Sequence, residues 1–97
     1  MTTHIVLWNF APTLSEAEKK AAKLQLKEVL LPLQDQIPGV ISIKLIFDGL
    51  PSGNREIALL GEYESVAALN AYLVHPLHVE AGKYVRSVTC DRACMDF

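Results

Sequence analysis

An α+β fold, an antiparallel sheet with helices on one face, is predicted by three observations. Short β-branched and aromatic runs alternate with amphipathic helical runs in the order strand, helix, strand, strand, helix, strand. The strand runs are apolar at positions of both parities, so neither sheet face reads as wholly water-facing. The chain has 97 residues and 51% hydrophobic content, enough for one core and too little for two, so residues 1–97 are expected to form one domain.

The first strand is Thr3 to Phe10, closed by Ala11-Pro12-Thr13. His4, Val6, Trp8 and Phe10 point one way, Ile5 and Leu7 the other. Thr13-Leu14-Ser15-Glu16 fits a capping box, which predicts a helix start at Thr13. Ala17, Ala21, Ala22, Leu24, Leu26, Val29, Leu30 and Leu33 form its expected inward stripe, with Lys19, Lys20, Lys23, Lys27 and Glu28 on the solvated side. Pro32 should stop or kink this helix.

Ile37-Pro38-Gly39 turns the chain into a second strand, Val40 to Phe47, with Ile41, Ile43, Leu45 and Phe47 on one face and Ser42 and Lys44 opposite. Asp48 to Glu56 carries Gly49, Pro51, Ser52, Gly53 and Asn54 and reads as a long hairpin loop, followed by a third strand from Ile57 to Glu62. Ser65 caps a second helix with Val66, Leu69, Tyr72 and Leu73 inward, and Pro76 ends it. Beyond it, His78, Ala81, Val85 and Val88 space as the buried face of a third, short helix, and Arg92 to Phe97 is the last strand. This order is the ferredoxin-like βαββαβ arrangement. Its helix-free sheet face would leave more apolar surface in water than monomers tolerate, so two sheets are expected to pair face to face in a homodimer.

The formal net charge is −2, and the nine Lys and Arg are scattered, which argues against nucleic acid as a partner. No run approaches the roughly 20 apolar residues of a membrane span, and the Met1-Thr2-Thr3-His4 start lacks the basic residues of a signal peptide, so a cytoplasmic protein without a membrane partner is expected. Cys90 and Cys94 form a single Cys-x-x-x-Cys, poor zinc spacing, and read as reduced thiols; no metal and no cofactor is expected.

Acid–base groups crowd a predicted apolar surface only at Tyr72-Leu73-Val74-His75-Pro76-Leu77-His78, with His4 facing it from the first strand. Tyr72 and His78 are the candidate catalytic pair; His4, Trp8 and His75 are candidate ligand contacts. Each also has a purely structural role open to it. His78 could satisfy a carbonyl at a helix start, Tyr72 could be a core ring, His75 a loop residue before proline, and Trp8 part of the barrel core.

The opening His4-Ile5-Val6-Leu7-Trp8-Asn9-Phe10, the turn Ile37-Pro38-Gly39-Val40, the His-Pro-x-His core of Tyr72 to His78 and the ending Asp91 to Phe97 together resemble the stress-responsive A/B barrel (Dabb) family over nearly the whole chain. The resemblance implies a ferredoxin-like protomer that pairs into a dimeric α+β barrel, in a family most of whose bacterial members have no established reaction. In the plant polyketide cyclase branch, which closes olivetolic acid by an aldol condensation, the catalytic tyrosine and histidine match Tyr72 and His78, and a further pocket histidine matches His4. A first-helix tyrosine of that branch aligns with Leu26. An aldol closure needs a base of near-neutral pKa beside a carbonyl and a donor for the developing enolate, which a His and a Tyr supply.

Three function classes follow. One is an enzyme that uses Tyr72 and His78 for proton transfer on a small hydrophobic or carbonyl-containing metabolite, cyclase-like or lyase-like. The second is a non-catalytic, stress-related dimer that binds such a molecule. The third is a haem-degrading or antibiotic-biosynthesis type of monooxygenase, resembled through Trp8, Asn9 and a late-helix His; adjacent residues on one strand face opposite ways, which separates Trp8 from Asn9.

Overall fold

The computed structural model describes residues 1–97 and begins with β1 (Thr2–Phe10), α1 (Glu16–Leu30), α2 (Leu33–Gln36) and β2 (Val40–Ile46). β3 (Ile57–Tyr63), α3 (Val66–Val74), α4 (Pro76–Val88) and β4 (Thr89–Asp96) complete it. The strands form one antiparallel sheet in the order β2-β3-β1-β4 with the helices on one face, the ferredoxin-like arrangement that the element order predicts. Period two is unbroken in β1, where Thr2, His4, Val6, Trp8 and Phe10 are buried under the helices and the residues between them are half-buried. A single core cluster of 17 residues fills the space between sheet and helices.

Helix α1 starts two residues later than the Thr13 cap predicts. Two capping boxes overlap here, and Ser15 takes the role: its Oγ accepts from the Glu18 amide at 3.1 Å, and Glu18 Oε1 accepts from the Ser15 amide at 3.0 Å. The Leu14 amide instead donates to the Ala11 carbonyl at 3.1 Å, so Pro12 and Thr13 belong to a turn. Ser15→Ala should therefore cost about 0.5–2 kcal/mol of stability in urea unfolding, and Thr13→Ala much less. The buried stripe is narrower than the apolar pattern predicts. Ala22, Leu26 and Leu30, one turn apart, are buried, whereas Ala17, Ala21 and Leu24, expected inward, are exposed. Pro32 ends α1, and the chain restarts as the single turn α2, which buries Leu33.

The turn into β2 needs Gly39, whose φ is +86° and whose Cβ, if present, would lie 2.8 Å from the Ala68 Cβ. Between Val40 and Ser42 two steps on β2 match one on β3, so Ile41 is the extra, unpaired residue and is exposed, while Val40 and Ile43 lie opposite Tyr63 and Gly61. Strand β2 ends at Ile46, and Phe47 leaves it to stack on Phe10 at 6.4 Å between centroids. Val66, expected inward, is exposed in the first turn of α3; Leu69 and Tyr72 are the buried residues.

Strand β4 begins at Thr89, three residues before the expected start. Leu7 faces Ala93 but Asn9 faces Cys90, so three steps on β4 match two on β1, and Asp91 at the bulge has φ +54°. The extra residue inverts the side-chain parity beyond it. Cys94 and Asp96 then lie opposite Val6 and His4, so Arg92, Cys94 and Asp96 take the helix-covered side. Ala93 and Met95 join Ile5 and Leu7 on the bare side, beside Ala58 and Leu60 of β3. No helix is long and apolar enough to cross a membrane.

Candidate functional site

A cavity of about 150 Å³ opens between the sheet and helices α1, α3 and α4, and His4, Trp8, Tyr72 and His78 line it. Val6, Leu59 and Val85 give it an apolar floor, and Arg86 and Arg92 complete the wall from α4 and β4. A larger groove of about 560 Å³, beside Phe10 and Phe47, is mostly charged, with Lys19 paired to Glu16 and Glu56, and holds none of these aromatic acid–base groups.

Tyr72 and His78 approach because Pro76 separates α3 from α4. Tyr72 closes the buried stripe of α3, and His78 lies in the first turn of α4, with ring centroids 4.5 Å apart. His78 Nδ1 lies 3.0 Å from the Leu73 carbonyl oxygen. A carbonyl only accepts, so Nδ1 carries the proton and donates it, and Nε2 of the neutral ring keeps a free lone pair. Burial holds the imidazole pKa below its ordinary 6.5, and the charges of His4, Arg86 and Arg92 act in the same direction against the Leu73 hydrogen bond.

Tyr72 is 1% exposed, and burial raises its phenol pKa, with the neighbouring Tyr63 hydroxyl acting the other way. Tyr63 packs at 5.0 Å between centroids from Tyr72. Its own hydroxyl is buried without a hydrogen-bond partner, and burial followed by Tyr72 pushes its pKa far up. Both phenols are thus protonated donors at neutral pH.

His4 is buried beneath the helices, and its Nδ1 donates to the Asp96 carboxylate, the residue opposite it on β4. That hydrogen bond is the main cause holding the Asp96 carboxyl below the usual range. The ring also meets Tyr63 edge-on at 6.2 Å. Cys94 Sγ lies 3.7 Å from His4 Nδ1, so imidazole, thiol and carboxylate come within 4.8 Å of one another. These three could ligate a metal only by giving up the His4–Asp96 hydrogen bond. Burial and then Asp96 raise the Cys94 thiol pKa, which disfavours the thiolate that ligation requires.

His75 does not line this cavity, contrary to its expected place among the ligand contacts. It is the N-cap of α4: Nδ1 accepts from the Leu77 amide at 3.1 Å, the first free donor after Pro76 at the helix start. Trp8 and Asn9 do face opposite ways. Asn9 Oδ1 accepts from the Glu56 amide and Nδ2 donates to Asp91, each at 3.1 Å, so Asn9 ties the β3 and β4 ends together away from the cavity.

Arg86, Arg92, Asp96 and Tyr63 are the site residues that sequence reasoning missed. Arg86 had a signal, since it stands eight residues after His78 on one helix stripe. Arg92 and Asp96 had none, because the bulge that turns them inward leaves no residue pattern.

Comparison with known proteins gives the class. The model of the Stress Responsive A/B Barrel Domain (Dabb) family matches residues 2–97, so the chain belongs to that family. A dimeric protein of unknown function and ferredoxin-like fold from Bacteroides fragilis is 29% identical, with 99% of this chain and 93% of that chain covered at a TM-score of 0.88. A dimeric ferredoxin-like protein of unknown function from Thermobifida fusca is 25% identical, with 99% and 88% covered at a TM-score of 0.83. The hydroxynitrile lyase of Passiflora edulis shares the fold at 19% identity, with 99% and 90% covered and a TM-score of 0.82. No curated protein matches the sequence.

Proposed function

We propose that this chain forms a homodimer whose cavity binds a small carbonyl-containing metabolite, and that His78 and Tyr72 carry out proton transfer on it. The observation that carries this reading is the meeting, at one apolar cavity, of an imidazole with a free Nε2 and a buried protonated phenol, 4.5 Å apart by ring centroids. His78 Nε2 takes the proton from the carbon next to the carbonyl, and the electron pair moves onto the carbonyl oxygen. Tyr72 donates a hydrogen bond to that oxygen and steadies the enolate. The enolate then takes the proton back from the His78 imidazolium, or, as in a cyclase-like closure, attacks a second carbonyl, whose π electron pair moves onto its oxygen and takes that proton, returning His78 to the neutral form. This is the pattern of the olivetolic acid cyclase branch that Tyr72, His78 and His4 resemble. The Passiflora edulis lyase shares the scaffold only, and its reaction is not carried over.

The dimer reading rests on the helix-free face, where Ile5, Leu7, Leu60, Ala93 and Met95 form adjoining apolar rows. The dimeric relatives from Bacteroides fragilis and Thermobifida fusca support it. Pairing through that face leaves the cavity open on the other side of the sheet.

The test is exchange of α-protons in D2O. Small ketones and oxo acids are screened by thermal shift, and those that stabilise the protein are followed by proton NMR. Enzyme-dependent exchange next to the carbonyl is the expected result. Ligands that bind but show no exchange above the solvent rate would make this a binding protein and remove the catalytic roles.

A further inference from the structure

Two permanent positive charges stand unpaired at the cavity that Tyr72 and His78 share. Arg86 and Arg92 both line it, both are exposed, and neither forms an ion pair; the one side-chain partner of Arg92 is the neutral thiol of Cys94. The carboxylate nearest the site on β4, Asp96, is already engaged by His4. The wall of the cavity is therefore left with a net positive charge whatever the protonation of His4.

The placement of Arg86 is specific. His78, Gly82 and Arg86 follow one another at intervals of four on α4, so they share one helix face. Helical side chains lean toward the N-terminus, which carries the Arg86 guanidinium back over Gly82 toward His78. A Cβ at residue 82 would lie 3.1 Å from Arg86 Nη1, so the glycine leaves the strip of helix on which that guanidinium rests. Arg92 reaches the same cavity from the opposite wall because the β4 bulge turns it to the helix side. Two guanidinium groups from different elements, converging on a site with an apolar floor, form an oxyanion receptor: each is planar and presents paired N–H donors that match a carboxylate. The volume limits the body of the ligand, since about 150 Å³ accommodates one six-membered ring.

Resting on the reading of this cavity as a ligand site, we propose that Arg86 and Arg92 select a small carboxylate, about one ring in size, placing its apolar body against Val6, Leu59 and Val85 and its reacting carbon beside His78. A carboxylate fits better than a phosphate because the one engaged carboxylate behind His4 disfavours a dianion. Arg86 and Arg92 are specificity residues for the substrate, and Gly82 is a positioning residue for Arg86.

The test is calorimetric titration of the full chain with benzoate, benzamide and phenyl phosphate, at low and high salt. Benzoate should bind roughly tenfold or more tightly than its uncharged counterpart benzamide, and the advantage should shrink with salt. Arg86→Gln and Arg92→Gln should each remove most of that advantage and weaken benzamide binding much less than benzoate binding. Gly82→Ala, which displaces only the flexible end of Arg86, should weaken benzoate binding in the same sense. Equal binding of benzoate and benzamide, no benzoate binding at millimolar concentration, or full benzoate affinity in both Gln variants would overturn the proposal. Phenyl phosphate binding more tightly than benzoate with the same Arg dependence would overturn the choice of carboxylate. Benzoate has no α-proton, so this result stands apart from catalysis. Loss of the exchange reaction with Arg-dependent benzoate binding intact would reject the catalytic roles alone; exchange on neutral ketones without benzoate binding would reject the carboxylate alone.

Discussion

His78→Ala should lower α-proton exchange on a bound carbonyl compound by roughly 100-fold or more, the loss expected for a general base. His78 is half-buried and its Nδ1 meets only the Leu73 carbonyl, so the variant should keep the fold and its far-ultraviolet circular dichroism. Tyr72→Phe should cost less. It keeps a ring that is 1% exposed and packed between Tyr63 and His78, and removes only the hydroxyl proposed to steady the enolate oxygen. The two variants together separate base from donor: an exchange rate that survives His78→Ala undiminished would show that the base is another group.

A charge on the helix-free face should have an effect of similar size on assembly. Leu7 lies in the middle of that face, paired across the sheet with Ala58 and Ala93, and the two-fold relation of a homodimer brings each substitution in twice. Burying two unpaired carboxylates in an apolar interface is costly, so Leu7→Asp should raise the dimer dissociation constant by about 100-fold or more. The interface proposed buries on the order of 2,000 Å² or more in total. Light scattering reads the outcome: wild-type protein at micromolar concentration should have the mass of two chains and Leu7→Asp that of one. Wild-type protein with the mass of one chain would remove the dimer.

Most of the scaffold was legible because its signals are local. The alternation of Thr3 to Phe10 placed His4, Val6, Trp8 and Phe10 under the helices, and Ser65 and Pro76 bound α3 as their chemistry dictates. The spacing of His78, Ala81, Val85 and Val88 gave the inward face of α4. Errors arose where two local signals competed or where tertiary register decided. Thr13 and Ser15 each begin a capping box, and only the turn closed by Leu14 and Ala11 selects Ser15; Leu24 falls on the water side because the helix packs through Ala22, Leu26 and Leu30. His75 carries a polar ring beside the cavity in sequence, but Pro76 leaves the Leu77 amide unpaired and the ring caps it. The site's charges were hidden for the same kind of reason. The inward turn of Arg92 and Asp96 follows from one extra residue in β4, and the closeness of Tyr63 to Tyr72 from the pairing of β3 with β1.

The sign of the pH dependence follows from the buried imidazole. His78 has a folded pKa below the ordinary 6.5, so between those two values the unfolded chain binds more protons than the folded one. Its contribution to stability is full above 6.5 and is lost as pH falls from there through the folded pKa. The acid limb of the exchange rate should lie in that same window, because only the neutral ring is a base.

The state of the His78 ring is measured most directly by long-range proton–nitrogen NMR of the imidazoles across pH, with and without a bound carbonyl compound. The expected spectrum at pH 7 has a neutral His78 ring with the proton on Nδ1, a titration midpoint below 6.5 and an Nε2 resonance that moves when ligand binds. A His78 that is imidazolium at pH 7, or neutral with its proton on Nε2, would have no free lone pair on Nε2 and would contradict its proposed role as the base.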